Sequence, residues 1–136
     1  MRRKPVGRVE ASDLKFERAL GRQSRYAPII GDRLRAAGLP QDLTYLALIE
    51  SYYDPHAYSK AAAVGMWQFM TKTAKGVGLR VDWWVDERRD PIRSTEGAVK
   101  LLSSLRDEFG SLFLAAAAYN GGEGRVSRGL AQFARR

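Results

Sequence analysis

Glu50 is the residue whose surroundings in the chain most suggest acid–base chemistry. Leu43, Leu46, Ala47 and Glu50 fall at i, i+3, i+4 and i+7, so a helix starting near Gln41-Asp42 puts the Glu50 carboxylate on its apolar face. Pro55 closes that helix by Asp54, because the residue before a proline avoids the helical region, and this leaves Glu50 in the last turns. Burial disfavours the charged carboxylate, and the negative end of the helix dipole acts in the same direction, so a raised pKa is expected. A general acid working near neutral pH needs that property. The alternative is a carboxylate paired with an arginine at the core edge, and ion-pair networks hold such groups at least as often.

Glycosidic bonds are usually cleaved by two carboxylates at a set separation. Candidates for the second are poor: Asp54 lies beside Pro55, while Asp82, Asp86, Glu87 and Asp90 share a segment with several arginines and read as a solvated, salt-bridged connection. A mechanism with one carboxylate therefore comes first. Tyr52, Tyr53, Tyr58, Trp67, Gln68, Phe69, Tyr119 and Asn120 cluster in two places and suit a saccharide groove, since sugar rings stack on aromatic faces and their polar groups bond to amides. Most of these aromatics belong to the core, and Trp67 and Trp83-Trp84 read as packing anchors ahead of ligand platforms. Gly121-Gly122-Glu123-Gly124 lacks the lysine and hydroxyl of a phosphate loop and follows no strand, so it reads as a helix cap.

Composition narrows the chemistry further. The 136 residues contain no cysteine and one histidine, which removes thiolate nucleophiles, disulfides and Cys/His metal clusters. His56 stands in the turn-like Asp54-Pro55-His56, so a Ser-His-Asp mechanism has little support. The longest apolar run, Leu112 to Tyr119, is far short of the ~20 residues of a membrane-spanning helix. Met1-Arg2-Arg3-Lys4 has the charge of a signal peptide's start, but Val9-Glu10-Ala11-Ser12-Asp13 follows where an apolar segment should be, so no signal is expected in this chain. The net charge of +8 is unevenly spread: residues 1–37 carry ten Lys/Arg against four Asp/Glu, residues 38–100 eight against eight, and residues 101–136 five against three. That pattern suits attraction to an anionic polymer. Nucleic-acid binding would rest on charge alone, with no recognition helix or aromatic sheet motif.

The elements that must position Glu50 are helical. Ser12-Asp13 can cap a first helix with Leu14, Ala19 and Leu20 on one side and Gly21 near its end; Pro28 suits the first turn of a second, Tyr26 to Ala37, stopped by Gly38. After the Glu50 helix, Ala57 to Met70 is a dense small-residue and aromatic stretch leading into a short helix over 71–77. Arg80 to Pro91 reads as an irregular connection with local ion pairs. Ser94 is a candidate N-cap for a helix burying Ala98, Leu101, Leu102, Leu105 and Phe109 and ending at Gly110. Ser111 caps the next, Leu112 to Tyr119, apolar nearly all round and so expected in the middle of the fold, with Gly121-Gly122 at its end. Val126, Leu130 and Phe133 mark a last amphipathic helix. No strand alternation, internal repeat or linker appears, and a chain of this length fits one domain.

Glu50-Ser51, Ser59, Gly65-Met66-Trp67-Gln68-Phe69-Met70 with Thr73-Ala74, Asp90-Pro91 with Ser94-Thr95, and Ala118-Tyr119-Asn120-Gly121-Gly122, in this order and spacing, resemble the family 1 lytic transglycosylase domain over about residues 26–130. The resemblance implies a mainly α, lysozyme-like helical fold acting on the β-1,4 bond between N-acetylmuramic acid and N-acetylglucosamine in peptidoglycan. It implies that Glu50 protonates the leaving oxygen and then removes the proton of the muramoyl 6-hydroxyl, closing a 1,6-anhydro ring, while the substrate's acetamido group replaces the second carboxylate. By position, Ser59, Gln68 and Met70 match residues lining sugar subsites, and Tyr119 and Asn120 match an Ala-Tyr-Asn motif beside the glutamate, with Tyr119 expected to hydrogen-bond Glu50.

Two positions depart from the family pattern: Ala62 stands where glycine is frequent, and Thr71 where proline commonly follows the methionine. The resemblance further implies a basic helical extension over 1–25 before a catalytic domain over 26–136, a monomer without cofactor or metal, glycan strands as partner, and a bacterial envelope or periplasmic location. Two other readings stand beside it: a lysozyme-type hydrolase on the same fold, and a non-catalytic peptidoglycan-binding domain. Retention of Glu50 with Tyr119 and Asn120 counts against the second.

Overall fold

The computed structural model describes the backbone of residues 6–121 and 123–134. Its architecture is mainly α, with six α-helices among the described residues: α1 (Val6–Ala36), α2 (Tyr45–Ser51), α3 (Thr71–Gly76), α4 (Pro91–Phe109), α5 (Leu112–Gly121) and α6 (Glu123–Ala134). Extended pairing among these residues is confined to isolated bridges, Tyr58 with Val64, Val64 with Phe69 and Val81 with Asp86.

The two helices expected before Gly38 are one. Helix α1 runs unbroken for 31 residues with Pro28 inside it, and the expected boundary at residue 25 falls within it. Its inward stripe explains why: Ala19, Tyr26, Ile30 and Leu34 are spaced by seven, four and four residues, so one apolar face continues past the proline, with Ile30 and Leu34 fully buried. Pro28 and Ser24 are both exposed, so the carbonyl that loses its helical partner at Ser24 faces water. Gly38, at φ 74°, ends the helix as expected: Leu39 N–H donates to Leu34 O (2.8 Å) and Gly38 N–H to Arg35 O (3.0 Å).

The Glu50 helix also starts differently from the expectation. Gln41–Thr44 form a 3₁₀ turn after Pro40, and regular α geometry holds only over Tyr45–Ser51. Leu43, Leu46 and Ala47 are buried as the pattern requires, whereas Ile49 is exposed. The chain leaves α2 before Pro55 is reached, through two successive left-handed residues, Tyr52 (φ 53°) and Tyr53 (φ 59°). Buried Tyr53 pins this exit, its N–H donating to Ala47 O (3.2 Å).

Ser94 does not cap α4. Asp90 does, its carboxylate accepting from Ile92 N (2.9 Å) and Arg93 N (3.0 Å), with Pro91 as first helical residue. Ser94 is buried inside the first turn, and its hydroxyl has no partner among the described residues. Gly110 (φ 69°) ends α4, and Ser111 Oγ accepts from Leu114 N (3.3 Å) at the start of α5, both as expected. Helix α5 buries Ala115, Ala116 and Ala118 but leaves Phe113 exposed, so only one side of it is central. Gly122, expected at its end, and the side chains of Val126 and Phe133, expected on the last helix, lie outside the described residues; Leu130 is exposed.

Candidate functional site

Glu50 is the penultimate residue of α2 and half-buried, and burial raises its carboxyl pKa. The arginine pairing considered as an alternative is absent among the described residues: their ion pairs do not include Glu50. The neighbouring Ser51 is buried and fixes the helix end. Its hydroxyl lies 2.7 Å from Met66 O and 3.1 Å from Ala47 O, and it accepts from Asp54 N (3.2 Å). Ser51 thus ties the end of the Glu50 helix to the segment around Trp67.

That segment, residues 57–71, is shaped by backbone geometry. Gly65 adopts φ 90°, and a Cβ there would lie 1.9 Å from the carbonyl oxygen of Arg88, so only glycine fits. Arg88, read from sequence as part of a solvated charged run, is buried instead. Its guanidinium makes a two-pronged contact with Asp86 (2.8 Å each) and donates to Phe69 O (3.2 Å), Thr71 Oγ1 (3.2 Å) and Ala62 O (3.5 Å). Both departures from the family pattern touch this arginine. Thr71 supplies it an acceptor that proline lacks, and Ala62 holds φ 66°, a left-handed conformation costing a non-glycine residue about 1–2 kcal/mol. Nothing in the sequence marks Arg88 apart from the arginines around it.

Trp67 is fully buried, its indole N–H donating to Thr95 Oγ1 (3.1 Å), whose hydroxyl donates to Pro91 O (2.6 Å). Its ring meets Tyr119 edge to face at 6.2 Å, and the Tyr119 hydroxyl donates to Trp67 O (2.8 Å). The phenol proton therefore goes to a backbone carbonyl and not, as expected, to Glu50. Glu50 still acts on it: burial first, and then the nearby Glu50 charge, push the Tyr119 pKa well up, so this hydroxyl remains a donor at any working pH.

Of the sequence-predicted site residues, Gln68, Met70 and Tyr119 line one cleft of about 310 Å³ together with Trp67, Thr73 and Leu105. Gln68 is held at φ 52°, its amide nitrogen donating to Gly65 O (2.8 Å) and Ala57 O (3.3 Å), and Met70 is exposed. Glu50 is not among the lining residues; its link to this cleft is the effect of its charge on Tyr119, which is one of them. Ser59 and Asn120 are not among the lining residues. Ser59 Oγ accepts from Ala63 N (3.0 Å) and closes the 59–63 turn, and Asn120 is exposed near the end of α5.

The carboxylates weighed as a second catalytic group all have other work. Hydrogen bonds from Arg80, and then from Val85 and Trp84 N–H, hold the Asp82 carboxyl below its ordinary range; Arg88 does the same for Asp86, and Arg93 for Glu87. Asp90 caps α4, and Asp54 accepts from His56 N (2.9 Å). No group of three or more His, Asp or Glu side chains suited to a metal ion occurs among the described residues. Glu50, its carboxyl pKa raised by burial, thus stands without an ion-pair partner among the described residues, and its charge acts on Tyr119, which lines the cleft.

The chain is similar in sequence to known proteins. The transglycosylase SLT domain model matches residues 27–136. The chain is 37% identical over 110 residues, 80% of its length, to membrane-bound lytic murein transglycosylase D of Escherichia coli K12. It is 44% identical over 94 residues, 67% of its length, to peptidoglycan transglycosylase gp16 of Escherichia phage T7. It spans 24% of the length of the first relative and 7% of the second.

Proposed function

The chain belongs to the transglycosylase SLT family, and we propose that it is the catalytic unit of a peptidoglycan lytic transglycosylase working in the bacterial cell envelope on glycan strands, as a monomer and without cofactor. Residues 26–136 carry the catalysis and residues 1–25 are a basic extension to that unit. Glu50 is the single acid and base. In its protonated state it donates to the glycosidic oxygen as the bond to the muramoyl anomeric carbon breaks, and the substrate's acetamido oxygen stabilises the positive charge at that carbon. The Glu50 carboxylate then takes the proton of the muramoyl 6-hydroxyl, whose oxygen closes the 1,6-anhydro ring. No water is consumed, and Glu50 ends protonated, ready for the next turnover.

The observation that carries this reading is a half-buried Glu50 with no cationic partner among the described residues, whose charge acts on a tyrosine hydroxyl held in place by the Trp67 carbonyl. Burial favours the protonated state required for the first step. The carboxylates weighed as a second catalytic group are engaged in ion pairs, a helix cap or a turn, which supports a mechanism with one. Gln68, Met70 and Tyr119 line the proposed sugar subsite, and Ser59 and Asn120, which do not line that cleft, contact the glycan beyond it.

The test is Glu50→Gln assayed by release of soluble fragments from purified peptidoglycan. The amide keeps the shape but transfers no proton, so turnover is expected to fall by about 10²–10⁴-fold with the thermal midpoint preserved. Activity within tenfold of the parent would overturn the assignment.

A further inference from the structure

The basic N-terminal third contributes a feature that the cleavage chemistry does not use. Lys15, Arg18 and Arg22 lie at i, i+3 and i+7 on α1, on one helix face, before the family-matched region begins at residue 27. That face forms one wall of a cleft of about 440 Å³ whose other wall is Ser51, Tyr52 and Asp54, the residues just after Glu50. Arg22 Nε donates to Tyr52 O (3.0 Å), and the Lys15 ammonium sits 4.8 Å from the centre of the Tyr52 ring. Arg18, exposed, has no ion pair or hydrogen bond among the described residues. Three cations against the single Asp54 carboxylate leave the lining at +2, with Leu14 and the Tyr52 ring as apolar floor.

We propose that this cleft binds the carboxylates of the peptide stem carried by the muramoyl residue under cleavage, so that α1 reads the peptide while Glu50 acts on the sugar. The proposal rests on the functional reading above. Its argument is one of tether and charge. A muramoyl unit placed at Glu50 carries its peptide on the lactyl group, and Ser51, Tyr52 and Asp54, one, two and four positions after Glu50 in the chain, line the cleft, so a short extended peptide at about 3.3 Å per residue can run from the sugar into it. The volume fits a short peptide, and exposed cations on one face select an acidic one. A phosphate-bearing wall polymer offers the same charge but no attachment at the cleaved sugar.

The test compares Lys15→Glu/Arg18→Glu with the parent chain on two substrates: glycan strands bearing peptides and the same strands stripped by an amidase. The readout is the ratio of kcat/KM on peptide-bearing to stripped strands. It is expected to fall about tenfold in the double variant and about threefold in Arg18→Gln, and to recover in Lys15→Arg/Arg18→Lys. An unchanged ratio, or an equal loss on both substrates, would overturn the proposal. Titration of a free acidic stem tetrapeptide into both proteins, followed by NMR, reads binding without turnover and so stands even if the cleavage assignment fails. A tenfold weaker Kd in the double variant supports the site. Equal Kd values, or tighter binding of poly(glycerol phosphate) than of the peptide by the parent chain, contradict it.

Discussion

Two tryptophan-bearing segments of this chain are both held rigidly and yet serve opposite ends. Around Trp67 the hydrogen bonds reach across the chain: the indole N–H reaches Thr95, the carbonyl takes the Tyr119 proton, and Arg88 binds the carbonyls of Phe69 and Ala62. Around Trp83-Trp84 the Asp82 carboxylate takes the N–H groups of Trp84 and Val85 (2.8 Å each), and Asp82 N–H returns a bond to Val85 O (2.8 Å). That turn is as well tied as the other, but its bonds are local, and it leaves the two indoles 91% and 84% exposed. The packing role expected for this pair is therefore wrong: rigidity came from short-range polar bonds and not from burial. Of the two, the Trp67 segment is the one that joins distant parts of the chain and the one that lines the cleft shared with Tyr119.

This contrast can be broken most severely at Gly65. In Gly65→Ala the new methyl meets the Arg88 carbonyl at a distance no relaxation of a side chain can relieve, and the residue must also hold positive φ. Loss of more than about 4 kcal/mol of stability is expected, read by urea unfolding, with loss of activity from the collapsed cleft. A smaller effect should follow Arg88→Met, which keeps the stem's bulk but abandons Asp86 and the carbonyls of Phe69 and Ala62. Removing one partner of a buried ion pair costs about 3–5 kcal/mol, and urea unfolding should again register it. At the other end, Trp83→Ser/Trp84→Ser should change stability by no more than about 0.5 kcal/mol, since neither ring is buried. A loss above 2 kcal/mol in that double variant would mean that the turn packs in solution and would erase the comparison.

How much of this was legible in the sequence follows from the range of the forces involved. The position of Glu50 on an apolar helix face could be read because helical periodicity and Pro55 act within a few residues, and the same is true of Gly38, Gly110 and Ser111. The continuous α1 could not, because Pro28 carries a local stop signal that the stripe from Ala19 to Leu34 overrides through packing against the rest of the fold. Ser94 lost the cap to Asp90 because a carboxylate followed by proline is the better local N-cap pair, a competition visible in sequence but resolved the wrong way. Gln68, Met70 and Tyr119 converge on one cleft, a convergence that the motif order implied and periodicity alone did not. The buried role of Arg88 rests on a hydroxyl and two carbonyls 17 to 26 residues away and leaves no mark in a run of charges.

The central claim is that one carboxylate, with the substrate's own groups, closes a ring without spending water. Mass spectrometry of the muropeptides released from purified peptidoglycan by the parent chain tests it most directly. The account predicts muramoyl ends lighter by one water than the reducing form, absent from the Glu50→Gln digest. Reducing ends alone would contradict it and identify a hydrolase on the same fold.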